Sequence, residues 1–528
     1  MTMGILPSPL AASEQDGPRI PGGWAWTKLG DICAINPTMP WPDGFSEETP
    51  VSFVPMAGVD DVAGAIVQAQ GRPIREVWKG YKRFCNGDVI FAKITPCMEN
   101  GKAAVVHGMR NGIGLGSTEF HVLRPSVVVL PEWIYHCVRR ISFRKDAKRA
   151  MTGTAGQLRV SAGFIENAAI PLAPLQEQVR ILKVLQQQFT RLDAAVAALK
   201  RAQANLHSYK ASVLKAACEG KLVPQDQHDE HTSDLLKRIL AERRAKWEED
   251  VRSKGKDPKK EKYSEPEPAD TEGLTELCMG WTWVTIEQLA SPEPRSIQSG
   301  PFGSSLHHSE FQKTGVLVIG IDNVLDGRFS MGRHHFISEE KYEQLRKYTA
   351  RPLDVLITVM ATVGRCCVVP LDLETAIVTK HVYRISCDNR LVNPYYLMLN
   401  VLGGTTVREQ LYEQAQGQTR PGINGEILRR IVVPLPPRVE QDAIVAECDG
   451  RLSNVHEVST GIDINVRRAD RLQRAILKRA FEGKLVPQDP NDEPAAVLLE
   501  RIRAERRGRH RKSGKSAAMQ LTLLEKGR

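Results

Sequence analysis

Two stretches of this chain carry apolar residues at alternating intervals of three and four. From Leu175 onward they fall at Leu182, Leu185, Phe189, Leu192, Val196, Leu199, Leu206 and Val213. That is the period of a narrow seam between paired helices. A shift of 263 positions gives Val445, Cys448, Leu452, Val455, Ser459, Ile462, Ala469 and Ile476, so the seam returns in register. Gly220 and Gly483, each followed closely by a proline, are the expected stops. Roughly 40 residues at about 1.5 Å each make a rod of about 60 Å. A narrow apolar stripe on a polar helix needs a partner in water. The other copy is the obvious one, and each helix's own neighbouring domain is the alternative. Antiparallel pairing would put the segments before the helices at opposite ends of the rod. Parallel pairing stays open, because an extended connection of about 50 residues can span that length.

Ahead of each seam the pattern changes to short β-rich runs between turn signals. The first body contains Val51–Val54, Asp88–Ala92, Ala103–Val106 and Phe120–Leu123. The second contains Val316–Ile319, Asp354–Thr358, Cys367–Val369 and His381–Ile385. Helices are predicted in equivalent places, over Glu132–Val138 and Pro394–Val401. The fold class is therefore α+β: two mixed α/β bodies and two long helices in a pseudo-two-fold internal repeat.

The repeat is visible in the letters themselves. Ser212–Arg244 aligns with Ala475–Arg507 with 21 of 33 positions identical, and Glu219-Gly-Lys-Leu-Val-Pro-Gln-Asp226 recurs unbroken as Glu482–Asp489. Upstream, Gly23-Trp-Ala-Trp26 is echoed by Gly280-Trp-Thr-Trp283. Gly156-Gln157 pairs with Gly417-Gln418, Pro171-Leu-Ala-Pro174 with Pro434-Leu-Pro-Pro437, and Glu177-Gln178 with Glu440-Gln441. The order implies an amino-terminal tail (1–22), a first body (23–174), a first helix segment (175–226) and a charged connection (227–279). A second body (280–437), a second helix segment (438–489) and a basic tail (490–528) follow. A short Arg- and Glu-rich helix is expected over Leu235–Trp247. The apolar-poor runs Lys254–Lys262 and Ser264–Ala269 are expected to be disordered. Arg501–Lys512, with its run of arginines, is either a phosphate- or partner-binding arm or a solvated helix face.

Composition narrows the class. At 528 residues the chain is too long for one core, and 41% hydrophobic with 25% charged residues is ordinary for a globular protein. A net charge of +10 mildly favours a polyanionic partner, although much of the excess sits in the tail-like segments. The ten cysteines show no CxxC pair, which points to reduced thiols in a cytoplasmic protein without structural zinc. No run of about 18 apolar residues and no charged-then-apolar start is present, so neither secretion nor a membrane span is expected.

Taken in order and twice over, these marks resemble the specificity (S) subunit of type I restriction-modification systems. They are the Gly-Trp-x-Trp starts, Gly87-Asp-Val-Ile-Phe91 with Leu353-Asp-Val-Leu356, Ser117-Thr-Glu-Phe-His121, Ser299-Gly-Pro-Phe-Gly-Ser304, the Pro-Leu-x-Pro stops and the twin eight-residue blocks. The match runs from about residue 20 to 490. The resemblance implies that each body is a target-recognition domain reading one half of a split sequence in double-stranded DNA. It implies that the helices form an antiparallel coiled-coil spacer, and that two modification (methyltransferase) subunits dock and restriction subunits join. It implies no catalysis by this chain, no cofactor and no membrane. Because the bodies differ in sequence, the target should be asymmetric.

Own catalysis finds little support. Asn393-Pro-Tyr395 lacks the second proline of an amino-methyltransferase loop and sits at an expected helix start. Gly508–Ser516 ends in Gly-Lys-Ser but is one residue too long for a phosphate-binding loop. His307-His308 with Glu310 lacks further metal ligands. A fused methyltransferase or nuclease, or a coiled-coil scaffold that ignores DNA, are the alternatives. Base readout needs Arg, Lys, Asn, Gln, Ser or Thr on exposed loops, with other cations on phosphates. Loops beside the repeated glycines supply Lys93, Thr95, Asn100, Lys102 and Gln157 in the first body. The second body supplies Ser304, Ser305, Arg365, Lys380, Gln418 and Arg420.

Overall fold

Two compact units account for the chain in a computed structural model, which describes residues 19–154, 156–332, 335–416 and 422–507. Residues 1–199 with 464–528 make the first unit, and residues 200–463 the second. Of the sequence expectations, residues 1–18 of the amino-terminal tail, Gly417, Gln418, Arg420 and everything beyond Arg507 lie outside the described residues. That includes the Gly-Lys-Ser loop and the last arginines of the basic tail.

Each unit contains two four-stranded sheets of matching topology. In the first unit one sheet runs Gln70–Pro73, Pro50–Val54, Ile113–Gly116, Lys82–Cys85, with its two central strands parallel. The other runs Cys33–Ile35, Phe120–Pro125, Val89–Ala92, Ala103–Val105 and is antiparallel. The second unit repeats both, as Phe336–Ile337, Val316–Ile319, Ala376–Val378, Thr349–Ala350 and as Ile297–Ser299, Val382–Ile385, Val355–Thr358, Cys366–Val368. The central strands are apolar on both faces because both faces are covered. Val89 and Phe91 enter one core, while Ile90 and Ala92 enter another. Val355 and Ile357 are divided from Leu356 in the same way.

The repeated sequence marks are structural. Gly87, at φ 91°, turns the chain so that Asp88 accepts from the Cys85 N–H and from Arg124 at 2.8 and 2.7 Å. Leu353 holds the same left-handed turn before Asp354, where a glycine would be unstrained. The Trp-marked start and the proline-rich stop close each body on itself. Ala25–Lys28 pairs antiparallel with Ala169–Leu172, and Thr282–Thr285 with Val432–Leu435. Trp24 Nε1 donates to Glu177 at 2.9 Å, and Trp281 Nε1 to Glu440 at 2.9 Å. Burial pushes both carboxyls above their usual range, and the tryptophan hydrogen bonds pull them back. Gln178 and Gln441 brace the clasp from the next position, donating to Ala173 O and Pro436 O.

From each clasp a 44-residue helix leaves, Leu175–Cys218 and Arg438–Phe481. The expected seam residues are withdrawn from solvent: Leu182, Leu185, Phe189, Leu192, Val196, Leu199, Leu206, Val445, Leu452, Val455 and Ile462 are buried or half-buried, as are Ile181 and Ile444 beside them. In the first unit Leu182, Leu185 and Phe189 share a core with Ile476, Leu477 and Phe481. In the second, Val213 and Leu214 share one with Ile444, Val445 and Cys448, and Gln203 donates to Asp463 at 3.0 Å. The helices end at Gly220 (φ 66°) and Gly483 (φ 65°). A Cβ on Gly220 would meet Cys278 and Trp281, so the glycine also permits close docking.

Two charged segments make contacts that their composition did not announce. Part of the connection lies against the second unit. Its helix is longer than expected, Thr232–Ser253, and Arg243 is buried against Asp388 at 3.0 Å. Beyond it Tyr263 packs on Trp247, and Glu267 pairs with Arg430 while its carbonyl accepts from Thr285. The arginine-rich segment is helical up to Arg507 with one solvated face: Ile502 is buried and Arg506 half-buried, while Arg501, Arg503 and Arg507 are exposed. Residues 495–507 are helical and bury Ala495, Leu498, Leu499 and Ile502 in the first unit. Arg506 donates to the carbonyls of Gly30 and Cys33.

Candidate nucleic-acid interface

At one end of the sheets in the first unit, three loops converge. Lys93, just past Val89–Ala92, takes the Glu119 carbonyl on its N–H and gives its own carbonyl to the Val160 N–H, each at 2.9 Å. Thr95 N–H donates to Leu158 O at 3.1 Å, and its hydroxyl lies 3.4 Å from Gly156 O. Lys93, Thr95 and the exposed Gln157 are thereby brought together. Asn100 is exposed on a turn of the same loop. Lys102 does not join them: its ammonium is spent on Met56 O at 3.1 Å.

Sequence reasoning missed three charged residues here. Arg159 grips Glu119 through both nitrogens of its fork, at 3.0 to 3.2 Å. These hydrogen bonds hold the Glu119 carboxyl below its usual range and consume its charge locally. Lys82 begins the strand paired with Gly116, beside the same loops. Burial and then the charge of Lys93 lower its affinity for a proton. Beneath them His121 bonds Val160 O at 2.9 Å and Asn36 at 3.0 Å, and burial above all keeps it neutral. No ion pair of Lys82 or Lys93 occurs among the described residues. Unpaired cations above a neutralised acid suit a phosphate, while the half-buried Thr95 and the exposed Gln157 offer hydrogen bonds to base edges. The only sequence signal for Lys82 was its place before a strand, which a surface lysine shares.

In the second unit the same loop crossing recurs with different side chains. Val359 stands where Lys93 stands: its N–H donates to His381 O and its carbonyl accepts from Ile423 N–H, at 3.0 and 3.1 Å. Arg365 is tied back by its N–H to the Thr358 hydroxyl at 3.1 Å. Lys380 is exposed on the neighbouring turn, and its charge, after burial, lowers His381. Ser304 and Ser305 lie in the turn Gly303–Ser305, next to the Gly300 N–H bond to Thr379 O that ties this loop to that of Lys380. The exposed Phe302 opens that turn and was not foreseen. Elsewhere, Asn393 caps a helix by accepting from Tyr395 N–H, and Glu310 pairs with Lys341. No group of three or more His, Cys, Asp or Glu among the described residues is placed to hold a metal ion. No helix among them is long and apolar enough to cross a membrane.

Comparison with known proteins agrees with this architecture. Residues 21–201 match the type I restriction modification DNA specificity domain. The chain is 28% identical over 525 residues to the type I restriction enzyme EcoAI specificity subunit of Escherichia coli, covering 89% of this chain and 85% of that one. It is 29% identical over 486 residues to the EcoEI specificity subunit of the same species, covering 83% and 79%. Among solved structures, a chain described under complex assembly and conformational transition of the type I R-M system shares the fold. The TM-score is 0.64 at 22% identity, covering 89% of this chain and all of that one. With the duplicated clasps, matched sheets and long helices, the chain is similar over most of its length to the specificity subunits of type I restriction-modification systems.

Proposed function

We propose that this chain reads an asymmetric, two-part sequence in double-stranded DNA, one half through the convergent loops of each unit. The chain is a DNA-recognition subunit and not a catalyst. One observation carries the finer reading. The two units share a sheet topology and a loop crossing, yet the residues at that crossing differ: Lys93 against Val359, and Glu119 against His381. Equal frames with unequal loops suit two half-sites of different sequence. The two long helices pair antiparallel as the spacer. In support, the start of the first helix packs with the end of the second in one unit, and the reverse holds in the other. Two modification subunits dock on the duplicated framework, restriction subunits join, and the assembly works on DNA in the cytoplasm.

The test is co-expression with the modification subunit, followed by mapping of methylated sites. Replacing Thr95 and Gln157 together should alter one half of the recognised sequence and leave the other half and the gap unchanged. Replacing Arg365 and Lys380 should alter only the other half. Changes in both halves from either pair would refute the assignment of one half to each unit.

A further inference from the structure

The helices Ile141–Arg149 and Thr405–Gln416 hold equivalent places in the two units, each directly after a helix that begins with proline. Both have arginine at the fourth position, Arg144 and Arg408, and each arginine N–H donates to the carbonyl four residues back at 3.0 Å. Gly101 and Gly364 are equivalent too: both lie in the left-handed region, at φ 78° and 88°, two residues before a strand. In the first unit the arginine covers the glycine. A Cβ on Gly101 would come within 3.1 Å of the Arg144 guanidinium, which donates to Glu99 O. In the second unit the nearest atom to such a Cβ on Gly364 is Leu411 Cδ1, at 4.0 Å. The Arg408 guanidinium lies instead 5.7 Å from the centre of the Tyr412 ring. A hollow of about 250 Å3 stands over the turn Thr362–Arg365.

Its polar lining comes from Asp326, Thr362, Gly364, Arg365, Arg408 and Tyr412. Arg408 donates only to Leu402 O, at 3.4 Å, and the Arg365 side chain donates to nothing among the described residues. Neither arginine pairs with a carboxylate there, Asp326 included. The Thr362 hydroxyl is buried without a hydrogen-bond partner. The turn that carries these groups is held from beneath. The Thr358 hydroxyl donates to Thr362 O and accepts from Arg365 N–H at 3.1 Å. Two unpaired guanidinium groups and one unpartnered hydroxyl thus border a single small polar space.

We propose that this hollow seats one phosphodiester group of the bound DNA, held by Arg408, Arg365 and the Thr362 hydroxyl, and that Arg408 thereby positions the duplex on the second unit without reading a base. A guanidinium fork matches two phosphate oxygens, and the hydroxyl supplies a third donor. Two arginines less the one aspartate in the lining leave a single positive charge. That suits the monoanionic diester of a DNA backbone better than free phosphate, which is largely dianionic at neutral pH. The volume falls below the roughly 300–1,000 Å3 of small-molecule sites. The hollow also adjoins the loop crossing. Met360, just before the turn, bridges to Gly422, and its sulfur lies 3.3 Å from the His381 ring. The proposal rests on the reading that the loops of the second unit meet DNA, and names a backbone contact behind them.

The experiment uses the full chain assembled with the modification subunit, and duplexes of its mapped target in which one neutral methylphosphonate linkage is moved along both strands. In the wild type, one linkage in or beside the half read by the second unit should weaken binding by about tenfold, the loss of one charge-assisted contact. With Arg408→Gln that linkage should cause no further loss, because the pair it removes is already gone. The variant should also lower the salt slope of log K by about 0.9 and leave the methylated sequence unchanged. Arg408→Lys, which keeps the charge without the fork, should recover part of the affinity. Thr362→Val should weaken the same contact by about threefold with thermal unfolding unchanged. Additive losses from Arg408→Gln and every neutral linkage, or an altered recognition sequence, would overturn the proposal. So would saturable binding of inorganic phosphate to the chain without DNA that Arg408→Gln removes, since the occupant would then be a free anion. A sensitive linkage coupled to Arg408 but lying in the other half sinks this proposal and the assignment of one half to each unit together. If Arg365 and Lys380 still alter one half alone while no linkage couples to Arg408, this proposal fails by itself.

Discussion

A fragment of residues 1–250 should form a homodimer, and one residue should set how tightly. The core of the first unit is completed by Ile476, Leu477, Ala480, Phe481, Leu485, Val486, Ala495, Leu498, Leu499 and Ile502. A chain cut at 250 lacks all of these but carries their counterparts 263 positions earlier: Val213, Leu214, Ala217, Cys218, Leu222, Val223, Thr232, Leu235, Leu236 and Ile239. A second copy can supply what the missing half supplied, and an isologous contact does so twice. The largest mismatch is Cys218 for Phe481, whose ring lies 4.6 Å from that of Trp133. Burying a phenylalanine side chain contributes about 1.5–3 kcal/mol, and an aromatic pair about 0.5–1.5 kcal/mol more. Allowing about 1 kcal/mol for what the cysteine already buries, Cys218→Phe should contribute about 1–3.5 kcal/mol at each of two sites. The dimer should tighten about 30-fold or more. Sedimentation velocity over a concentration series measures both constants. Changing Leu192 and Leu199 together to Asp should abolish the dimer while the body stays folded. A fragment that remains monomeric at high concentration with its helix formed, or a Cys218→Phe dimer no tighter than the parent, would refute the reasoning.

Other outcomes follow from single groups. Arg243→Ala leaves Asp388 buried with only the more exposed Arg390 to hold it, and should destabilise the second unit by about 3 kcal/mol in denaturant titration. Burial pushes the Asp388 carboxyl up, but hydrogen bonds from Arg390 and Arg243 outweigh it and leave it below its ordinary value. A lowered carboxyl contributes stability above its unfolded pKa that is lost as pH falls through the folded one. The wild type should therefore lose stability below about pH 4, and Arg243→Ala should lose less; identical acid limbs would contradict this. Lys93→Ala should weaken binding to all DNA sequences alike and reduce the salt slope of log K by about 0.9. A changed recognition sequence would instead make Lys93 a base reader. The purified chain alone should transfer no labelled methyl group to DNA, and activity should appear only with the modification subunit added.

Much of the architecture was legible because it was written twice. The seam positions from Leu182 to Ile476 and the stops at Gly220 and Gly483 are local consequences of helical period and backbone freedom. So are the central strands, whose apolar runs could be buried only on both faces. Lys93, Thr95 and Gln157 were reachable because glycine turns flank them. Lys82, Arg159 and Glu119 were not, since their meeting depends on strands distant in sequence ending at one edge. Lys102 looked like the others, yet a carbonyl 46 residues away claims its ammonium.

By itself the sequence determined that this protein is a repeat with two long helical segments, and that its repeated blocks had to fit something common to both halves. Only tertiary structure decided what that was. Each block docks on the tryptophan clasp of the other repeat's body, so the compact units are interleaved rather than consecutive. The same long-range packing set Arg243 of the connection against Asp388 and seated Ile502 and Arg506 of the last helix on the first unit. Periodicity reports which face of an element is apolar. Which distant face covers it is chosen by the free energy of the whole packed core.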